Sequence, residues 1–178
     1  MGQLIEVILT PARVTRGYME KLLTGIRPEQ AARKPRYETN AATITVDTNH
    51  PSFVIGHLGL YPARLLQLAG LDGTSVAAPA EWEPLFKAGV ACQDDPNGKI
   101  YPAFDSLVAH YFKATDAVFS KLAQVDDAAL LMPTPEERYR ERFPLAGAAL
   151  NFMINNHVMV HMGQLSAWRR CFGLPSAM

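Results

Sequence analysis

Apolar residues recur at intervals of three and four in four stretches of the chain, and the joints between those stretches hold most of its Pro, Gly, Asn and Asp. This predicts four amphipathic helices with punctuated connections. The first is expected to open at Thr10-Pro11, where a capping hydroxyl precedes a proline whose missing N–H is harmless at the first helical position. Val14, Tyr18, Leu22 and Ile26 then share a face, and Pro28 ends the helix. PEQAARKP offers a short further turn. In YETNAATITVDTNH the run AATITV alternates weakly, but no second strand-like run stands ready to pair with it, so it reads as an extended loop.

The second helix lies in PSFVIGHLGLYPARLLQLAG, with Val54, His57, Tyr61, Arg64, Leu65 and Leu68 on one side. Pro62 predicts a bend just after Tyr61 or a fresh start there, because an interior proline removes a ladder hydrogen bond. Residues 71–102 form a long connection rich in Gly and Pro, with a turn at Pro96-Asn97-Gly98. Unstructured connections of that length are uncommon, so it is expected to wrap the outside as a crossover or to line the mouth of a site. The third helix runs from about Ala103 to Gln124, with Phe104, Leu107, Val108, Tyr111, Val118, Phe119 and Leu122 at helical spacing. MPTPEERYRERFP leads to the fourth. On it Leu150, Met153, Ile154, His157, Val160, His161, Gln164, Leu165, Trp168 and Phe172 fall in one stripe at about 100° per residue. The order predicts one all-α domain over residues 1–178, a four-helix bundle with a long crossover between helices 2 and 3.

Composition narrows the partners. The chain has 178 residues, 48% of them apolar, enough for one core. Seventeen basic and seventeen acidic side chains cancel, and no basic cluster exceeds Arg169-Arg170. That argues against nucleic acid and anionic membranes, and for a small molecule or another protein chain. Cys92 and Cys171 lie far apart and form no C-x-x-C pair, so neither a disulfide scaffold nor a thiolate zinc site is expected, and neither has an activating neighbour for nucleophilic work. Glu6 interrupts the apolar run of MGQLIEVILTPAR with no basic segment before it, a poor secretory signal. No stretch reaches the ~18 apolar residues of a membrane span. A cytoplasmic protein is the expectation.

Two imidazoles on a core-facing stripe need a reason. At a spacing of four, His157 and His161 can converge on one ion, or each can bond a carbonyl, carboxylate or water in the interior. Position 158 is Val, so the H-E-x-x-H metalloprotease signature is missing. His57, on the apolar face of the second helix, is the candidate third ligand. Three neutral imidazoles leave a coordination position open, as catalytic ions require. Tyr61 and Arg64, one and two turns beyond His57, are placed to meet a substrate's polar or anionic group, or to be an edge tyrosine and an arginine paired with a carboxylate. Gln164, one turn after His161, orients a ligand or caps a buried carbonyl. His110, on the flank of the third stripe, is expected to be partly exposed or hydrogen-bonded rather than a fourth ligand, and His50 to belong to a helix start or loop. Val158, Met159 and Met162 project away from the histidine stripe, either as an apolar patch for a partner chain or because the helix is buried on more than one side of the bundle.

NHPSFVIGHLGLYPARLL and HVMVHMGQLSAWRRCFGLP together resemble the DinB-like family of bacterial proteins, and the order of four helices with a long central connection is similar over nearly the whole chain. The resemblance implies a bundle that holds one divalent ion, often nickel or zinc, through His57, His157 and His161. It also implies a homodimer. Characterised relatives include metal-dependent S-transferases that use a low-molecular-weight thiol, and thiol-dependent isomerases, while many others have no assigned activity. On that pattern the chain is expected to be a metal-dependent enzyme acting on a small molecule, with thiol S-transfer as the leading reaction and Arg64 or Tyr61 as anchors. The alternatives are a non-enzymatic metal or small-ligand binding protein, and an inert relative whose histidines form a hydrogen-bonded core cluster. Pro62 departs from an ordinary second helix of such a bundle and bears on the aim of His57.

Overall fold

In the computed structural model, which describes residues 2–177, the chain is mostly helical with one small two-stranded sheet. Helix α1 spans Gln3–Leu23, so it starts well before Thr10 and carries Pro11 inside it. The reason lies elsewhere in the chain. The Asp127 carboxylate accepts from the backbone N–H groups of Gln3 (2.8 Å), Leu4 (3.0 Å) and Ile5 (3.3 Å). This cap satisfies orphan donors and sets a negative charge at the positive end of the helix dipole. Together with the burial of Ile5, Ile8 and Leu9 it outweighs the ~3 kcal/mol that an interior proline costs. The Thr10 hydroxyl bonds Glu6 and caps nothing. The inward face runs through Ile5, Leu9, Ala12, Met19 and Leu22, which leaves Val14 and Tyr18 exposed, contrary to the sequence pattern.

Helix α2 (Pro28–Ala31) is the short turn expected there. The next stretch is a correction: β1 (Arg36–Glu38) pairs antiparallel with β2 (Thr43–Thr45), Tyr37 opposite Ile44. The partner strand is three exposed residues, too short to carry an alternation signal. Pro62 does restart the second helix, giving α3 (Pro51–Gly59) and α4 (Pro62–Leu68). The long connection is structured. Turns of 3₁₀ helix at Thr74–Val76 and Ala80–Trp82 precede α5 (Glu83–Phe86), with Trp82 and Phe86 as buried anchors. Asp95 then gathers the N–H groups of Lys99, Ile100 and Tyr101 around the Pro96-Asn97-Gly98 turn.

Helix α6 (Phe104–Leu122) is the predicted third helix. Two short helices, α7 (Asp127–Leu130) and α8 (Glu137–Arg140), lead to α9 (Ala146–Asn151), which passes through a π-helical turn at Phe152–Asn156 into α10 (His157–Cys171). The π turn adds a residue to the helical path and moves every later position around the axis. Met162 and Arg169 thereby join His161, Leu165 and Trp168 on the buried face, and Val160, expected to point inward, is 62% exposed. Of the two readings of Val158, Met159 and Met162, burial fits a helix covered on more than one side: Met162 is buried and Val158 half-buried, leaving Met159 exposed.

Helix α6 packs along α3 and α4, and α1 along the π turn and α10. Their side chains make two apolar clusters. One holds Met19, Phe53, Leu58, Leu107, Leu165 and Trp168; the other holds Leu9, Leu66, Val118, Leu122, Leu150 and Ile154. The α3–α4 and α9–α10 segments both run from one cluster to the other, and the histidines lie where they cross over. Among the described residues no helix is long and apolar enough to cross a membrane.

Candidate metal centre

Helix α3 starts on a histidine. His50 Nδ1 accepts from the Phe53 N–H while its Nε2–H donates to the Gln93 carbonyl at 2.8 Å, so this ring is a helix cap. It is fully buried, and burial pushes its pKa down to about 4. Two turns later the same helix presents His57 inward. Its Nδ1–H donates to the Phe86 carbonyl at 2.6 Å, which fixes the tautomer and leaves Nε2 a bare lone pair. Gly56 permits that contact. A Cβ there would meet the Phe86 ring at 2.4 Å, so a side chain at 56 would push away the segment that holds His57. The long connection therefore does line a site, and Pro62, falling after His57, leaves its aim intact.

Helix α10 supplies the other two rings, one turn apart. His157 Nε2 lies 3.2 Å from His57 Nε2 and 3.1 Å from His161 Nε2. His161 Nδ1–H donates to Gln164 Oε1 at 2.9 Å, and that oxygen also accepts from Asn49 Nδ2 at 3.1 Å. His161, like His57, is thus a fixed acceptor at Nε2. His157 has no such brace: its Nδ1 is buried with no hydrogen-bond partner. The three rings form the one cluster of His, Cys, Asp or Glu donors within ligating reach of one another among the described residues, their ligand atoms all within 4.8 Å. All three histidines have lowered pKa values. Burial is the first cause in each case; for His157, brought to about 4, the neighbouring imidazoles add to it. Each ring is accordingly neutral near pH 7, the form that binds metal.

The donor set suits a metal ion. Without a cation, a His157 Nε2–H has to serve both acceptors at once and leaves Nδ1 a buried lone pair without a donor. With a cation, the three Nε2 lone pairs would share one electrophile, so the cluster could hold a metal ion.

The remaining candidates divide. Tyr61 is half-buried beside the cluster, its ring centroid 5.1 Å from that of His57 and 4.9 Å from that of His157, and burial raises its pKa. Arg64 takes the ion-paired role: it donates to Glu136 at 2.5 Å and lies over the Tyr139 ring. Gln164 is bonded to the His161 ring rather than to a buried carbonyl. His110 is no ligand, since it bonds the Gly59 carbonyl at 3.1 Å and packs on Trp82. Cys92 is buried with its thiol pKa raised by burial, and Cys171 is exposed. Sequence reasoning missed the Phe86 carbonyl, Asn49 and Gly56. A backbone acceptor leaves no mark in residue identity, and the only hint was a glycine in mid-helix next to a histidine. It also missed Tyr139, Arg142 and Phe152, which stand over the site from the connection before α9 and from the π turn.

Comparison with protein families and with curated protein sequences gives no match for this chain.

Proposed function

We propose that this protein binds one divalent ion, zinc or nickel, through His57, His157 and His161, and uses it as a metal-dependent enzyme of the DinB-like type. The observation that carries the reading is the convergence of three neutral Nε2 atoms, two of them fixed as acceptors by the donations of their own Nδ1–H groups. In this proposal α1, the α3–α4 pair, α6 and the α9–α10 rod are the four members of a bundle, with residues 71–102 crossing between the second and third.

When bound, the ion supplies Lewis acidity, which lowers the pKa of a thiol or of water, or polarises a carbonyl. The chain's residues prepare the site. The Phe86 carbonyl and Gln164 hold two rings in the ligating tautomer. The Tyr61 hydroxyl, kept protonated by burial, is a hydrogen-bond donor at its edge. The leading reaction is transfer of a small electrophile to the sulfur of a low-molecular-weight thiol, a reading that rests on the resemblance of the two motifs. A binding protein with the same ion and no turnover is the alternative. The implied homodimer has its best surface on the outer side of α1, where Leu4, Val7, Val14 and Tyr18 are exposed at heptad-like spacing.

Elemental analysis of untagged protein, paired with thiol-consumption assays across a panel of electrophiles, tests the reading. One metal per chain and turnover lost in His161→Ala are expected. Metal without turnover across the panel favours the binding protein, and metal content near zero overturns both.

A further inference from the structure

A chamber of 190 Å³ opens beside His157. Its walls are largely apolar, from Leu68, Phe143, Phe152 and Met153, and Tyr61 and His157 line it side by side, their ring centroids 4.9 Å apart. Two arginines line it and no acidic side chain does. The arginines differ in what they are free to do. Arg64 is engaged by Glu136 and by the Tyr139 ring. Arg142 is not. Its guanidinium carbon lies 5.7 Å from the ring centroids of both Phe143 and Phe152, and no carboxylate or carbonyl accepts from it among the described residues. Lying across aromatic faces orients a guanidinium while leaving its in-plane N–H donors available.

A cationic fork with open donors, at the rim of an apolar chamber, next to an ion site, selects for one chemistry. We propose that the chamber binds a small organic carboxylate with an apolar or aromatic body, its carboxylate on Arg142 and its body against Phe152 and Met153. The volume is below the roughly 300–1,000 Å³ of pockets that take drug-sized ligands, so the guest is small. The inference rests on the metal-binding reading only for what the guest faces at the chamber's inner end. Arg142 does not contribute to the buried core, being exposed, so its substitution leaves the fold in place.

Calorimetric titration of the zinc-loaded protein with 3-phenylpropionate and with the corresponding neutral amide tests this. The carboxylate is expected to bind about tenfold tighter than the amide, charge-assisted bonds being the stronger class. Arg142→Gln is expected to abolish that preference, and Arg142→Lys to restore part of it. A preference that survives Arg142→Gln puts the carboxylate on the ion and overturns the inference. Equal binding of acid and amide overturns it too, as does no detectable binding of the acid up to about 10 mM. Zinc content is measured on the same samples. A protein that holds no zinc yet prefers the carboxylate through Arg142 refutes the metal reading and leaves the chamber's assignment standing.

Discussion

If the three histidines hold an ion, removing the acceptor behind His161 should weaken metal binding without touching a ligand. Gln164→Leu keeps the volume and deletes Oε1, the atom that receives the His161 Nδ1–H at 2.9 Å and is itself held by Asn49. A buried N–H left without an acceptor costs about 1–3 kcal/mol, but that penalty falls on the metal-free and metal-bound protein alike. What changes affinity is the lost preference for the tautomer and ring angle that aim Nε2 at the ion. Loss of such an outer partner typically weakens binding about 10–100-fold, equivalent to about 1.4–2.7 kcal/mol. Gln164→Glu keeps an acceptor and makes it anionic, so its affinity should stay within about threefold of the native value or rise. Asn49→Ala removes only the second donor on Oε1, and about threefold is expected. Competition of zinc against a chelating indicator at neutral pH gives the affinities, and urea unfolding of the metal-free proteins separates structural damage from loss of aim. Native affinity in Gln164→Leu, with or without a fall in metal-free stability, would refute the idea that this hydrogen bond prepares the ligand.

Three further outcomes follow from the fold. Asp127→Ala should cost about 1–2 kcal/mol of stability and speed amide exchange at Gln3–Ile5, whose N–H groups that carboxylate receives; unchanged exchange there contradicts the tertiary cap. His50 is held neutral by burial with its pKa near 4, below the unfolded value of about 6.5, so its contribution to stability is complete above pH 6.5 and is lost as pH falls toward 4. For His50 alone the loss between pH 7 and pH 5 is about 2 kcal/mol, and His50→Asn, which can still cap α3, should flatten urea-measured stability by that amount; an equal slope in both proteins counts against a neutral buried ring. Gly56→Ala drives a Cβ into the Phe86 ring, and a loss of about 1–3 kcal/mol with weaker zinc binding is expected, whereas full tolerance in both assays means the close contact does not hold His57.

The histidine cluster was legible because residue type and spacing alone point to it: two at a helical interval on one stripe and a third in a second apolar helix. Pro62 announced the α3–α4 break for the same local reason. What stayed hidden depends on contacts distant in sequence. Helix α1 begins at Gln3 because Asp127 caps it, and no local signal near Gln3 can show that. A constant period cannot anticipate the π turn at Phe152–Asn156, so the inward face of α10 was read one residue off and Val160 and Met162 exchanged places. The hairpin escaped because a strand of three exposed residues has no hydrophobic pattern. In the site, His161 was found and its brace at Gln164 foreseen as one of two options, while the Phe86 carbonyl behind His57 was invisible to any reading of side chains.

X-ray absorption at the metal edge of protein loaded with one equivalent of zinc tests the central claim most directly, because it counts the donors. Three imidazole nitrogens at about 2.0–2.1 Å, falling to two in His57→Ala, is the predicted result. A shell with sulfur at about 2.3 Å, or a native spectrum unchanged by His57→Ala, contradicts a centre built from these three rings.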